Sequence, residues 1–316
     1  MSLIIEIEPY KSSEKKDWDK FNSQAKNQSL LFFRDYMEYH SDRFKDHSLI
    51  FRHKGNIVAL LPANLSDSTL YSHSGLTYGG FIVGTEMSSP LMLSVFESLR
   101  EYMADNNLRT LVYKAMPYIY FKCPFQEDLY ALFRNGASLV RRDVGTVVPL
   151  GNDVENHFSR LRRRGVKKAL NNGIKVHKTN DYTTFMGIVG EVLHNKYSTK
   201  PVHTAQEIEK LAASFQSNIV LYGAFKDSRM VAGVLVYLSN NVAHAQYGFA
   251  TEEGRNNSAL DLLYRSIFLE YKGVKQYFSF GISTENEGQY LNEKLISYKE
   301  SFGGYSVVSD FYRLTI

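Results

Sequence analysis

The segment with the clearest chemical character is a run of basic residues between positions 157 and 178. No acidic residue interrupts it, and its charged members are Arg160, Arg162, Arg163, Arg164, Lys167, Lys168, Lys175 and Lys178. The whole chain has a formal net charge of +4, so the rest of the molecule sums to −4. Such a local concentration of charge favours the binding of an anion, and it does not predict a DNA-binding protein.

Only some of these side chains share a face if the segment is a helix. Three consecutive arginines (162–164) point around a helix, so they cannot all hold one phosphate group. The predicted anion-binding face consists of four residues: Arg160, Arg164, Lys167 and Lys168. The alternative is a solvated helix face that balances the acidic remainder of the chain.

A second candidate anion site is the polar stretch Arg255, Asn256, Asn257 and Ser258, which directly precedes a segment with helical periodicity. The backbone N–H groups at a helix N-terminus bind phosphate, and an arginine there adds positive charge. Asn and Ser are also favourable N-cap residues. The stretch is therefore explained equally well as a donor-binding site or as a helix start.

Further polar residues lie near the ends of two predicted strands. His244 belongs to the strand pattern VAHAQYGFA and shares a face with Gln246 by alternation. An imidazole at that position could act as a base or hold a water molecule, and a packed interior histidine is the alternative. Glu285 and Asn286 follow the next strand and could line an acceptor cleft, although a simple turn explains them nearly as well.

Several kinds of chemistry are excluded. Cys123 is the only cysteine, so an internal disulfide, a zinc site built on cysteines and a CxxC redox motif cannot form. The glycine-rich stretch at 73–84 lacks the Lys-Ser/Thr of a P-loop and the spacing of a dinucleotide fingerprint. No HExxH motif or paired-carboxylate pattern occurs, so no metal is expected. The short apolar runs and the lack of a secretory signal pattern predict a cytoplasmic protein.

The elements that position these residues come in two similar sets. Apolar runs separated by turn residues predict β-hairpins at 49–65 and 219–238. A third strand is expected at 69–83 and at 241–250, and each is followed by a polar loop and a helix. The two helices contain eight residues at helical spacing that match pairwise at a constant offset of 169: Leu91, Val95, Leu99 and Tyr102 with Leu260, Tyr264, Phe268 and Tyr271.

The repetition continues to the end of each half. A short strand is predicted at 108–115 and at 274–282, and a helix, a glycine and a terminal hairpin follow. We therefore predict an α/β (α+β) fold of two tandem domains, residues 1–150 and 151–316, with mixed, mostly antiparallel sheets flanked by helices. A single large α/β domain with similar elements is the alternative.

Three stretches carry a resemblance to a known family. Residues 160–176 form an Arg/Lys-rich helix that ends at Asn-Gly before a strand. Residues 251–260 occupy the position of a pyrophosphate-binding loop, in which Arg255 matches the motif while Ser258 and Leu260 replace two small residues. Residues 281–304 place Tyr298 shortly before a Phe-Gly pair. The unit resembles the acyl-CoA N-acyltransferase (GNAT) fold, and its tandem arrangement resembles the Fem-type aminoacyltransferases and related acetyltransferases with two such domains.

The resemblance implies transfer of an acyl group, in the simplest case acetyl from acetyl-CoA, to the amine of an amino sugar, sugar nucleotide or cell-wall precursor. Tyr298 would be the acid for the leaving thiolate and His244 the base, and residues 255–258 would bind acyl-CoA. The basic face, Glu285 and Asn286 would contact the acceptor, for instance a nucleotide- or lipid-linked sugar. Two alternatives stay open: aminoacyl transfer from tRNA, and a non-catalytic binding protein.

Overall fold

The computed structural model describes residues 3–316, apart from the side chains of residues 196 and 197. The helices are α1 (Lys15–Gln24), α2 (Arg34–Met37), α3 (Ser89–Asp105), α4 (Glu127–Arg134), α5 (Arg160–Asn171), α6 (Tyr182–Tyr197), α7 (Ala205–Ser214), α8 (Glu252–Asn256), α9 (Ala259–Tyr271) and α10 (Glu293–Glu300). Short 3₁₀ turns occur at Ser12–Glu14, Leu30–Phe32, Glu38–His40, Tyr118–Tyr120 and Val154–His157.

Sixteen strands are present within the same residues. They are β1 (Glu6–Pro9), β2 (Leu49–His53), β3 (Asn56–Leu61), β4 (Asn64–Ser66), β5 (Thr69–Tyr71), β6 (Ile82–Val83), β7 (Thr110–Lys114), β8 (Ser138–Pro149), β9 (Lys175–Thr179), β10 (Ile219–Lys226), β11 (Arg229–Leu238), β12 (Val242–Ala250), β13 (Tyr277–Ile282), β14 (Thr284–Glu285), β15 (Tyr290–Leu291) and β16 (Tyr305–Thr315). The two predicted hairpins correspond to β2–β3 and β10–β11, which pair antiparallel.

The chain forms two compact units. The first ends at Asp143 and also takes in Asn286–Gln289 and Val308–Ile316, while the second comprises Val144–Glu285 and Tyr290–Val307. These boundaries differ from the predicted domains 1–150 and 151–316, which stay a prediction about how the chain is organised. None of the helices in residues 3–316 is both long enough and apolar enough to cross a membrane.

The first unit contains two groups of strands. In one of them the strand order is β1–β2–β3–β6, with antiparallel neighbours. In the other, β5 pairs in parallel with β7 and antiparallel with β4, and residues 311–315 of β16 pair antiparallel with β7. Helix α3 contributes Val95, Phe96 and Leu99 to the core, where they are fully buried.

The predicted strand at 69–83 is wrong over its middle part, since only β5 and β6 are formed. Residues 72–81 leave the sheet, and the backbone of Gly79 packs directly on that of Ser72. A Cβ atom on Gly79 would lie 1.4 Å from the Ser72 carbonyl oxygen. The segment is fixed to β7 instead, because Gly79 N–H donates to the Lys114 carbonyl and Lys114 N–H donates to Ser72 Oγ.

The strands of the second unit follow the order β8–β13–β12–β11–β10–β9. Their neighbours are antiparallel except β12 and β13, which are parallel. Helices α5 and α9 cover one face, where Phe268, Phe278 and Phe302 form an aromatic cluster. Helix α6 covers the opposite face, where Phe185 contacts Phe249.

The predicted basic helix is present as α5. The Ser159 hydroxyl accepts from Arg162 N–H at the start of α5, and the helix ends before Gly173, whose φ is +74°. Leu161 on this helix is 62% exposed, while Val166 and Ala169 are buried. At α7, Thr204 and Glu207 exchange side-chain and backbone hydrogen bonds as a capping box does.

Candidate active site

The second unit has an opening between β12 and β13. The two strands pair in parallel only from Val242–Tyr277 to His244–Ser279. Beyond that point β12 contains a bulge opposite β11, and the ladder between β13 and β8 breaks its register after Ser279. Backbone groups at the end of β13 are therefore not all bonded to a neighbouring strand, and side chains take over this function.

His244 lies at the inner end of this opening. Its Nδ1 is 3.1 Å from Ser279 Oγ, which also accepts a hydrogen bond from Gly281 N–H at 3.2 Å. Burial, assisted by the charge of Lys299, lowers the pKa of His244 to about 4. The imidazole is therefore neutral at physiological pH. A group that binds a proton this weakly is a poor general base, so the predicted role of His244 as the base stays a prediction.

Lys299 also lies at this opening, although the sequence analysis did not single it out. Its side chain is buried at the opening, and Nζ donates to the carbonyl oxygens of Gly281 at 3.1 Å and Ile282 at 2.6 Å. Burial lowers the pKa of Lys299 to about 8. A signal existed in the sequence, because Leu295 and Ile296 precede Lys299 by four and three residues and thus place it on the apolar side of α10.

Tyr298 lies on the other face of the sheet. Its ring packs edge-on against Phe302 with centroids 5.3 Å apart, and the Arg162 guanidinium lies 4.9 Å from its ring centroid. Burial raises the pKa of Tyr298 well above its usual value. Because Ser279 alternates with the clustered Phe278 and Phe280, His244 and Ser279 face away from Tyr298. The structure thus does not bring the two predicted catalytic residues together, and the role of Tyr298 stays a prediction.

The predicted donor loop is largely helical. Thr251 is the N-cap of α8, and its Oγ1 accepts from Gly254 N–H at 3.1 Å. The following N–H groups of Arg255, Asn257 and Ser258 donate to backbone carbonyls within the loop. Gly254 is required here, since a Cβ atom would lie 2.1 Å from the Val231 carbonyl oxygen. These N–H groups therefore donate hydrogen bonds within the protein and do not point toward a ligand.

The side chains of the loop are also bonded to the protein. The exposed Arg255 donates from Nη1 to the Ala250 carbonyl at 2.8 Å, and Asn257 Oδ1 accepts from Asn172 Nδ2 at 2.7 Å. Asn256 is exposed within α8. Ser258 precedes α9 with a φ of +56° and makes no side-chain cap. Their predicted role in binding a donor stays a prediction.

The four residues of the basic face remain on the surface. Arg160, Arg164, Lys167 and Lys168 are all exposed, and within residues 3–316 none of the four forms a salt bridge. Arg162 points inward, and its Nη1 lies 2.5 Å from Asp261 Oδ1 on α9. The structure thus presents the basic face as one exposed, unpaired set of cations on α5.

Glu285 and Asn286 lie at a hairpin turn. Glu285 is in β14, which pairs with β15, and its Oε1 accepts from Asn292 Nδ2 at 2.9 Å. Asn286 has a φ of +48°, as a tight turn requires. Their predicted contact with an acceptor stays a prediction. Among the described residues, no three His, Cys, Asp or Glu side chains are grouped so that they could hold a metal ion.

Comparison with known proteins supports the predicted fold. Residues 158–300 match the family model described as an acetyltransferase (GNAT) domain. The structure of FemX superposes with a TM-score of 0.70 at 11% identity, covering 98% of this chain and 97% of that one. A tandem GNAT protein from the clavulanic acid biosynthesis pathway superposes with a TM-score of 0.52 at 13% identity, covering 99% and 98%.

A third solved structure also has a similar fold. The C-terminal domain of a putative lysylphosphatidylglycerol synthetase from Agrobacterium fabrum superposes with a TM-score of 0.62 at 12% identity, covering 96% of this chain and 92% of that one. No curated protein sequence gives a significant match. The predicted tandem arrangement and the α/β fold class are confirmed by these findings, and the match at residues 158–300 is to an acetyltransferase (GNAT) domain.

Proposed function

Because residues 158–300 match an acetyltransferase (GNAT) domain, we propose that this chain is an acyltransferase that transfers an acyl group to an amine at the opening between β12 and β13. The observation that carries the proposal is the buried Lys299 ammonium at the end of β13. A lysine has three N–H donors, and two of them are used by the carbonyls of Gly281 and Ile282. The third donor can bond to a substrate.

In this reaction the neutral amine attacks the acyl carbonyl, and a negative charge develops on the carbonyl oxygen. A positive donor held in a buried position stabilises such an oxyanion far more than a solvated one does. Lys299 supplies that donor, and the neutral His244 imidazole does not oppose its charge. The intermediate collapses as the bond to the leaving group breaks. The proton lost by the amine passes to the leaving group or to solvent.

The first candidate donor is acyl-CoA, with acetyl-CoA as the simplest member, and the first candidate acceptor is the amine of an amino sugar, sugar nucleotide or cell-wall precursor. The match to an acetyltransferase domain supports this donor. A thiolate leaves readily, so positioning of the two substrates supplies much of the rate. We propose that the reaction takes place in the cytoplasm.

A second candidate donor is aminoacyl-tRNA, and one observation favours it. The N–H groups of the predicted donor loop are bonded within α8, whose first turn also carries Glu252 and Glu253. Carboxylates at this position repel a pyrophosphate. The basic face on α5 is joined to the same loop through the hydrogen bond between Asn172 and Asn257. The basic face would contact the phosphate backbone of a tRNA.

Binding experiments separate the two donors. The melting temperature should rise by several degrees with acetyl-CoA at about 100 times its dissociation constant if acyl-CoA is the donor. Free CoA and longer acyl-CoAs show which part of the donor is recognised. No rise at millimolar concentration would eliminate acyl-CoA.

The tRNA donor is tested by filter binding. The variant with alanine at Arg160, Arg164, Lys167 and Lys168 should bind tRNA at least tenfold more weakly and with a shallower salt dependence. The control variant replaces four exposed lysines of the first unit, Lys11, Lys16, Lys45 and Lys54. Equal loss in both variants would show that only net charge matters, which would contradict a specific role for α5.

A further inference from the structure

Tyr247 lies on the stretch of β12 that borders the opening in the second unit. β12 and β13 are parallel, and their pairing ends at His244 and Ser279. Tyr247 is three residues further along β12, where the two strands have separated. The residue is partly exposed, so it is not enclosed in the core.

A β-bulge places Tyr247 on the same face of the sheet as His244. On a regular strand, residues three positions apart face opposite sides. Here Tyr247 lies opposite Leu235 of β11. His244 lies opposite Tyr237, only two positions further along β11, because Gln246 is an extra residue. The two side chains therefore share a face and are separated by about 7 Å along the sheet.

The same face is covered by α6 and by the loop that follows it. Phe249, two residues beyond Tyr247, contacts Phe185 of α6. His203 lies in the loop between α6 and α7 and is 4% exposed. Its Nδ1 is 2.8 Å from the Tyr247 hydroxyl oxygen, and its backbone N–H donates to the same oxygen at 3.3 Å. A buried imidazole is thus bonded to a hydroxyl that is partly exposed.

The start of α7 fixes the position of His203. The next residue, Thr204, is the N-cap of α7 and forms a capping box with Glu207. Because the Tyr247 oxygen accepts the backbone N–H of His203, the proton of the hydroxyl is left to donate to Nδ1. The hydroxyl is therefore connected to a proton acceptor that solvent does not reach.

We propose that Tyr247, bonded to His203, is the base that removes a proton from the acceptor amine. The inference rests on the acyl transfer proposed above and adds the proton acceptor to it. His244 binds a proton too weakly for this task, because its pKa is about 4. The charge of Lys299 contributes to lowering that pKa, so Lys299 lies close to His244 and stabilises the oxyanion at the same opening.

Proton transfer accompanies attack by the amine. As the amine nitrogen bonds to the acyl carbon, its proton passes to the Tyr247 oxygen, and the Tyr247 proton passes to Nδ1 of His203. The carbonyl oxygen becomes the oxyanion that Lys299 stabilises. The intermediate then collapses, and the bond to the leaving group breaks. The His203 imidazolium returns its proton through Tyr247 to the leaving group, so both residues end in their initial forms.

A purely structural role for this pair makes a different prediction. The bond between His203 and Tyr247 also holds the loop before α7 against β12. If that were its only role, its loss would lower the rate by the same factor at every pH. A missing base is instead replaced by hydroxide, so the defect shrinks as the pH rises.

The experiment measures acyl transfer from acetyl-CoA, and separately from an aminoacyl-tRNA, to glucosamine and UDP-glucosamine at pH 6.5 and 8.5. Tyr247→Phe should lower kcat/KM by about 100-fold or more at pH 6.5. The ratio of its rate to the wild-type rate should be about tenfold higher at pH 8.5. This ratio cancels the protonation of the amine and of Lys299, which both proteins share. His203→Asn can keep the hydrogen bond to Tyr247 but cannot take a proton, so it should show the same pattern.

Tyr102→Phe is the matched control, because the Tyr102 hydroxyl also bonds to a histidine, His47 Nε2 at 3.0 Å, in the first unit. It should keep the wild-type rate at both pH values. If the wild type is active but the Tyr247→Phe ratio is the same at both pH values, or His203→Asn is as active as wild type, this inference alone is overturned. A wild type that transfers no acyl group from either donor contradicts the proposed function and this inference together.

Discussion

Lys299 Nζ lies 2.6 Å from the carbonyl oxygen of Ile282, at the end of a strand that has lost its parallel partner. A side chain thus takes the place of a ladder hydrogen bond. The same contact holds an ammonium group inside the opening between β12 and β13, where a substrate carbonyl would meet it. The buried charge of Lys299 therefore lies at the point where β13 no longer pairs with β12.

The first prediction concerns the charge of Lys299. Lys299→Met removes the proposed oxyanion donor, and we expect kcat/KM to fall at least about 100-fold, as it does when a single oxyanion donor is removed elsewhere. Lys294→Met is the matched control, since Lys294 is exposed on the same helix and should leave the rate unchanged. A rate for Lys299→Met within threefold of wild type would contradict the proposed role.

The second prediction concerns pH. The Lys299 ammonium is the active form in the proposed reaction, and its pKa is lowered to about 8. The acyl-transfer rate at saturating amine should therefore decline as the pH rises through about 8. In Lys299→Arg the cation persists to much higher pH, so any remaining activity should lose this decline. A wild-type rate that rises through pH 8 relative to the rate of Lys299→Arg would indicate that the neutral amine of Lys299 is the active form instead, since deprotonation of the acceptor amine affects both enzymes alike.

The third prediction concerns the ion pair between α5 and α9. Arg162→Met leaves Asp261 buried without its partner, and we expect a loss of about 3–5 kcal/mol in the free energy of unfolding. Burial already raises the pKa of Asp261, so the loss should shrink as the pH falls and the carboxyl group becomes protonated. Denaturant unfolding at pH 8 and pH 5 measures both effects.

The control for this ion pair is its neighbour in the sequence. Arg163 is exposed and forms no salt bridge within residues 3–316, so Arg163→Met should change stability by no more than about 0.5 kcal/mol. Similar losses in both variants would show that the net charge of α5, rather than the pair with Asp261, stabilises the protein.

Much of the fold could be predicted from the sequence because it rests on periodic patterns. The hairpins β2–β3 and β10–β11, the basic helix α5 and the capping box at α7 all follow from local residue types. The segment between β5 and β6 could not be predicted in this way. Its apolar residues continue the strand pattern, but the close packing of Gly79 on Ser72 and the bonds to Lys114 depend on residues distant in sequence.

The site was predicted less completely than the fold. His244 was placed correctly on its strand, because alternation along β12 is a local property. Lys299 was missed, although helix periodicity places it on the buried side of α10, because its contacts are with the carbonyls of Gly281 and Ile282 at the end of β13, which no local pattern predicts. The sequence also did not predict that residues 255–258 form hydrogen bonds within α8 and the turn that follows. Loop residues of the same composition can instead leave their N–H groups free to bind an anion.

The last prediction concerns the contact that lets α5 and α9 approach. A Cβ atom on Gly165 would lie 1.8 Å from Asp261 Oδ2, so Gly165→Ala must displace the carboxylate that pairs with Arg162. We expect a loss of about 2–4 kcal/mol in the free energy of unfolding, despite the higher helix propensity of alanine. Gly190→Ala in α6 is the control, because nothing lies within 4 Å of its would-be Cβ atom, and it should stabilise the protein by about 0.5–1 kcal/mol. If Gly165→Ala were as stable as Gly190→Ala, the close packing of α5 on Asp261 would be refuted.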